Sequence, residues 1–280
     1  MPKTLTPETL TDLSRLLARH RNRAVIVIEA DGTQRPGPNR TVIDVSGIPG
    51  FSNITRRGQT CQIGAGATLG GVLREIQGEN GLLRQAVSMM ANPLVRNRVT
   101  VLSALDPESQ YFDLATALVS LHARVRVRSQ KGGRSVAIDD FLVAAAEGLK
   151  SGEFPSAVEF TALDPEYRAG FFRVNPGRGK PTVSASVLAR LRRNVAVDPK
   201  IAVSSSTVIP VPVPGASRAL TRQVLSDNNI KKVAEIAAAE MLEMAGMEED
   251  DPYERSLIEV AVSRAIRRMS ETPAGVAPPR

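Results

Sequence analysis

The chain has 280 residues, 42% of them hydrophobic, which is enough to bury substantial cores and long enough for two or three domains. Its longest aliphatic run, Ala24-Val25-Ile26-Val27-Ile28, falls far short of the roughly 18 residues a membrane span needs, and the N-terminus lacks a basic-then-apolar leader, so cytoplasmic residence is expected. One cysteine, Cys61, excludes an internal disulfide and any iron–sulfur cluster or thiolate-rich zinc site held by this chain alone; the net charge of +7 suits nucleic acid or an acidic partner protein, but 4% aromatics and no Trp leave few stacking platforms, so nucleic acid is not expected.

From the N-terminus, Thr6 as N-cap, Pro7 at the first helical position and Leu10, Leu13 and Leu17 at helical spacing predict a short amphipathic helix. A strand over 24–29, a Gly/Pro-rich turn region over 31–39 and a second strand over 41–45 complete a helix-plus-strand unit that ends at residue 54. A brief strand over 61–65 leads to Thr68, which caps a helix with Leu69, Val72, Leu73 and Ile76 on one face. Asp113 likewise precedes Leu114, Leu118 and Leu121. Val125 and Val127 then alternate with Arg124, Arg126 and Arg128, the period-two pattern of a strand with one wet face, and Lys131-Gly132-Gly133 turns the chain.

A third region opens near Asp164-Pro165. Strands over 183–191 and 201–209 are expected to pair antiparallel through a turn at Asp198-Pro199. Ile209-Pro210-Val211-Pro212-Val213-Pro214 reads as an extended connection from sheet to helices. One helix is predicted over 228–244 with Ile230, Val233, Ala237, Met241 and Met244 on a face; another starts in a capping-box-like Asp251-Pro252 with Glu254 and carries Ile258, Val262, Ala265 and Met269. The Pro-rich tail from Thr272 is expected to fray.

Little of this points to catalysis by side chains. His20 and His122, the only histidines, lie in no Ser-His-Asp or paired-His spacing, so no catalytic residue and no metal ligand is assigned. Met89, Met90, Met241, Met244 and Met247 read as core or subunit-contact residues, and Cys61 as a small buried hydrophobe. The Arg124, Arg126 and Arg128 stripe, like Arg190, Arg192 and Arg193, fits a solvated face, an acidic partner or nucleic acid.

The chemistry-bearing signal is an ordered series of motifs. Ala30-Asp31-Gly32-Thr33-Gln34 follows the first strand; Val42-Ile43-Asp44-Val45-Ser46-Gly47-Ile48-Pro49 and Ile63-Gly64-Ala65-Gly66-Ala67-Thr68-Leu69 come next. Arg96-Asn97-Arg98-Val99-Thr100-Val101 then runs into Leu102-Ser103-Ala104, with no glycine from Leu82 to Lys131. Asp113-Leu114-Ala115 and Arg134-Ser135-Val136-Ala137-Ile138-Asp139-Asp140-Phe141 close the series. In this order they resemble the FAD-binding medium subunits of molybdenum hydroxylases, of the carbon monoxide dehydrogenase and xanthine dehydrogenase type. There, an Arg-Asn-x-x-Thr-Val run leads into Gly-Gly-Asn, and an early Ala-Gly-Gly-Thr-Asp follows the first strand.

The resemblance implies an α+β fold: a two-part N-terminal FAD-binding-type α/β region, residues 1–54 and 55–164, and a C-terminal antiparallel sheet with helices over 165–280. It implies FAD at Ala30, Gly32, Thr33, Arg96, Thr100, Leu102, Ser103 and Asp113, with backbone amides near Leu102 and Ser103 facing the pyrophosphate and Asp113 near the ribityl chain. It also implies partners: a large subunit with the molybdenum cofactor and a small [2Fe-2S] subunit whose electrons this chain passes through FAD to an external acceptor. Glycine matters at such a loop because backbone amides must approach phosphate oxygens closely. Leu102-Ser103 in its place leaves an alternative, a flavin-free structural or docking subunit. Read from the residues alone, Asp113 is as well explained as a helix N-cap, Gly32 as a turn glycine, and Arg96 with Arg98 as solvated.

Overall fold

A computed structural model describes residues 4–20, 24–27 (backbone only), 41–76, 81–107, 109, 111–175, 177, 182–246 and 252–271. In chain order these form β1 (Thr4–Leu5), α1 (Leu10–Arg19), β2 (Ala24–Val27), β3 (Thr41–Asp44), β4 (Ile54–Arg57) and β5 (Thr60–Gly64). Helices α2 (Leu69–Glu75), α3 (Leu82–Met90), α4 (Pro93–Arg96), α5 (Val101–Ala104) and α6 (Asp113–Ser120) follow. Then come β6 (Arg124–Ser129), β7 (Gly132–Ala137), α7 (Ile138–Glu147), β8 (Phe154–Thr161) and β9 (Tyr167–Val174). The chain continues through β10 (Val183–Arg192), β11 (Val195–Ser205), β12 (Val211–Pro212), α8 (Pro214–Leu220), α9 (Asp227–Met244) and α10 (Pro252–Glu271). The fold is α+β. The turn region over 31–39, residues Ala30, Gly32, Thr33, Met247 and Asp251, and the tail from Thr272 lie outside the described residues.

Two compact units divide the chain: Met1–Glu75 with Ala91–Ser109 and Ala123–Thr161, and Ile76–Met90 with Gln110–His122 and Ala162–Arg280. The first holds a parallel sheet, β1-β3-β2, and a five-stranded antiparallel sheet, β4-β5-β8-β6-β7. Leu13 of α1, Ile43, Val45, Ile48, Phe51, Ala65 and Phe154 form a buried cluster, and Leu102 packs against it. The first helix starts three residues later than expected. Thr9, not Thr6, is its N-cap and accepts from the Asp12 amide at 3.1 Å, while Pro7 is buried ahead of the helix. Ser14 on α1 donates to the Gly152 carbonyl at 2.8 Å. Gly152 has φ of +77°, and a Cβ there would lie 2.9 Å from the Ser14 carbonyl, so glycine is required twice over.

The alternation read in β6 is observed: Val125 and Val127 are buried and Arg124, Arg126 and Arg128 exposed. Thr68 caps α2 by accepting from the Gly71 amide at 3.0 Å, and Cys61 is buried in β5.

In the second unit, the antiparallel sheet β12-β11-β10-β9 carries a core built with α8, α9 and α10. Ile258, Val262, Ala265 and Met269 of α10 are fully buried, as their spacing predicts. Helix α10 lies so close to β9 that a Cβ on Gly170 would sit 1.9 Å from the Ala265 carbonyl oxygen. Ser226 caps α9 by accepting from the Asn229 amide at 3.3 Å; Met244, expected on its apolar face, is 49% exposed. Glu254, expected in a capping box whose Asp251 lies outside the described residues, accepts from the Thr207 hydroxyl at 2.9 Å.

The expected turn at Asp198-Pro199 is not a turn. The β10–β11 hairpin closes at Arg193-Asn194, with φ of 49° and 65°, the two positive values a two-residue type I′ connection needs. Asp198-Pro199 lies inside β11, where the register slips from Leu188↔Lys200 to Arg190↔Val197. Such a bulge excuses Pro199 from the ladder bond it cannot donate. Pro212 is likewise on an edge strand.

Candidate cofactor site

The first unit places the Arg-Asn-x-x-Thr-Val run as a rigid, internally bonded hook. Asn92 caps α4 by accepting from the Val95 amide at 3.0 Å, with Pro93 in the first turn. Arg96 donates to the Ala91 carbonyl at 2.9 Å, so this guanidinium braces its own loop. Leu94 projects from the same turn, 77% exposed.

Thr100 is buried and is the N-cap of α5: its hydroxyl accepts from the Ser103 amide at 3.2 Å and lies 3.2 Å from the Ser103 hydroxyl. The Val101 amide donates to Ala67 O at 2.9 Å, Leu102 to Ala65 O at 2.7 Å and Ala104 to Thr100 O at 3.0 Å. Every amide from Val101 to Ala104 therefore has an acceptor within the chain. The Leu102 side chain, where the resembled family has its first glycine, is half-buried against the Leu13–Phe154 cluster.

A pyrophosphate needs several converging N–H donors and room for its oxygens. The Thr100–Ala104 segment offers no free donors in this conformation, because they are spent on Ala65, Ala67 and Thr100, and at Leu102 it carries a side chain packed on the core in place of a glycine. These residues do not fit the pyrophosphate of FAD. Glycines do occur nearby, at Gly64 and Gly66, but they accommodate the chain itself: Cβ atoms there would lie 2.2 Å from the Phe51 carbonyl oxygen and 2.6 Å from the Ser52 hydroxyl.

Asp113 belongs to the second unit and is buried at the first turn of α6. It is not the N-cap, since Phe112 holds that position without a side-chain cap bond. Its carboxylate accepts from Arg173 on β9 at 2.7 Å and from the Ser184 hydroxyl on β10. Burial raises its pKa, outweighing the lowering effect of the Arg173 charge and the Ser184 hydrogen bond. Arg173 also donates to Met90 O at 3.3 Å. Neighbouring polar contacts continue this seam, with Thr116 on Ser204 at 2.7 Å and Ser120 donating to Ser186 O at 3.3 Å. Asp113 thus ties α6 to two strands. Sequence reading missed Arg173 and Ser184, which lie 60 and 71 residues away, a separation at which no local spacing reports a partner.

Of the remaining candidates, Ala30, Gly32 and Thr33 lie outside the described residues. His20 is the C-cap of α1, and His122 has φ of 49° at the end of α6. No group of three His, Cys, Asp or Glu suited to a metal ion occurs among the described residues, and no helix among them is long and apolar enough to cross a membrane.

A parallel and a five-stranded antiparallel sheet in one unit, and a four-stranded antiparallel sheet with helices in the other, make up this α+β fold. Residues 3–160 match the family model described as the FAD binding domain in molybdopterin dehydrogenase, which is more than half of the chain, and the chain belongs to that family. Relatives are distant. It is 22% identical over 232 residues to the 6-hydroxypseudooxynicotine dehydrogenase complex subunit alpha of Paenarthrobacter nicotinovorans, covering 81% of this chain and 78% of that one. A carbon monoxide dehydrogenase chain from Hydrogenophaga pseudoflava superposes with a TM-score of 0.83 at 19% identity, over 98% of each chain. Quinoline 2-oxidoreductase from Pseudomonas putida 86 gives a TM-score of 0.78 at 17% identity over 97% of each. At these identities the structural matches establish the fold alone.

Proposed function

We propose that this chain is the medium subunit of a molybdenum-hydroxylase-type oxidoreductase complex, with a molybdenum-cofactor large subunit and a [2Fe-2S] small subunit as its partners, and that it serves there as a flavin-free structural or docking component. The subunit role is supported by the family model over residues 3–160 and by the fold over nearly the whole chain. The flavin-free form is supported by one observation above all: the amides of Val101, Leu102, Ser103 and Ala104 are each donated within the chain. The regions 1–54 and 55–164 are then a flavin-type scaffold that Leu102 closes from within.

A second reading rests on the family itself, whose domain is a FAD-binding one. In it the chain passes electrons from the [2Fe-2S] partner through FAD to an external acceptor, and Ala30, Gly32, Thr33, Arg96, Thr100, Leu102, Ser103 and Asp113 are the positions around the cofactor. The Thr100–Ala104 turn would then have to surrender its internal bonds on binding.

The two readings part on titration of the purified chain with FAD, followed by flavin fluorescence. Quenching that saturates at one FAD per chain supports the electron-transfer reading; no quenching supports the docking reading.

A further inference from the structure

The outer face of the five-stranded sheet carries charge of one sign. The pairings Arg57↔Thr60, Gln62↔Glu159 and Glu159↔Arg124 put Arg57, Gln62, Glu159 and Arg124 on the same side, and period two adds Arg126 and Arg128 of β6. All four arginines are exposed, and so are Thr55, Thr60, Thr161 and Ser135 on the same face. Against four guanidiniums this face has the one carboxylate of Glu159, which Arg126 holds at 2.8 Å. A wet antiparallel face is ordinarily polar with mixed signs, so polarity is unremarkable here and the sign bias is not.

Two of the arginines, Arg124 and Arg126, are also held in place. Arg124 donates to the Ser135 hydroxyl at 2.9 Å and to the Ser135 carbonyl at 2.8 Å, and Arg126 is fixed by Glu159. Side chains already ordered lose less entropy when they engage a partner. Guanidiniums at every second residue of a strand stand about 7 Å apart and can each take a carboxylate through two N–H donors. The aromatic side chain that the pairings set on this face, Phe154 opposite Arg128, is buried, so no exposed ring there offers a base a stacking surface. From this we infer that the outer face of β4-β5-β8-β6-β7 docks an acidic protein surface, presented by a partner subunit; the inference rests on the reading of the chain as a subunit of a complex.

The test uses the tagged full chain expressed in its native cells, with co-purified subunits identified by mass spectrometry and molybdenum measured in the eluate. The triple variant R124E/R126E/R128E is compared with wild type, with R124Q/R128Q, which spares the Arg126–Glu159 pair, and with R192E/K231E/K232E, a control of equal charge change in the second unit. The docking face predicts that recovery of the molybdenum subunit falls by about tenfold or more in the triple variant, falls less in the glutamine variant and survives in the control, and that wild-type recovery declines with salt. Equal recovery by wild type and triple variant, with the fold confirmed by circular dichroism, overturns the docking face but leaves the subunit reading standing. No molybdenum subunit with wild type overturns the subunit reading, and the docking face with it. Binding of a short duplex DNA by wild type that the triple variant loses assigns the face to nucleic acid and also overturns the proposal.

Discussion

Leu102 and Asp113, two residues the family resemblance assigns to a cofactor, are both tied into the protein by internal bonds. Leu102 spends its amide on Ala65 and its side chain on the Leu13–Phe154 cluster. Leu102→Ala should destabilise the chain by about 1–2 kcal/mol, the scale of a half-buried leucine truncated, as read from urea denaturation. The double variant L102G/S103G removes the side chains that fill the approach and should bind FAD more tightly than wild type in a fluorescence titration; equal or weaker binding would show that side-chain bulk is not what closes the segment.

Asp113→Ala leaves Arg173 buried and unpaired and should cost about 3–5 kcal/mol. The pH dependence has a definite sign. Burial raises the Asp113 pKa above its ordinary 3.8, so the folded state holds this proton more tightly than the unfolded chain. Its contribution is fully present below 3.8 and is lost as pH rises through the raised folded value. Asp113→Asn should flatten that part of the stability profile, and an unchanged slope across the acid range would contradict the assignment.

Among the elements, the bulge in β11 gives a second titration. Tyr167 donates its hydroxyl to Asp198, which the bulge turns back across the sheet. Burial and the Asp198 carboxylate push the tyrosine pKa up to about 12. The folded state keeps this proton longer than the unfolded chain, so stability should fall between pH 10 and about 12. Tyr167→Phe should remove that fall, and tyrosinate absorbance of the wild type should show one late-titrating tyrosine. Helix α10 supplies a packing test: Gly170→Ala drives a methyl into the Ala265 carbonyl and should lower stability by about 1–3 kcal/mol in a thermal melt.

These elements also show how far the sequence could be read. The Val/Arg alternation of β6, the Thr68 cap and the Ile258–Met269 stripe of α10 depend on neighbours within a turn or a pleat, and each is observed. Asp198-Pro199 has the composition of a turn but folds as a bulge, because the positive-φ pair Arg193-Asn194 already closes the hairpin. Thr9 outcompetes Thr6 as the cap, its hydroxyl bonded to both the amide and the carboxylate of Asp12. The Asp113–Arg173–Ser184 cluster was illegible because its members meet only through tertiary structure. At the cofactor segment, the missing glycines were plain in the sequence, but the acceptors that occupy its amides, Ala65 and Ala67, were not.

For the whole molecule, the account is of a family fold in which the amides of the Thr100–Ala104 segment are bonded within the chain and one sheet face displays Arg57, Arg124, Arg126 and Arg128. The most direct measurement is the visible absorbance spectrum of the native complex, followed by identification of any cofactor released on denaturation. Absence of flavin, persisting after incubation with excess FAD, is the predicted result. Stoichiometric FAD on this chain would contradict the account and require the Thr100–Ala104 turn to open around the phosphates.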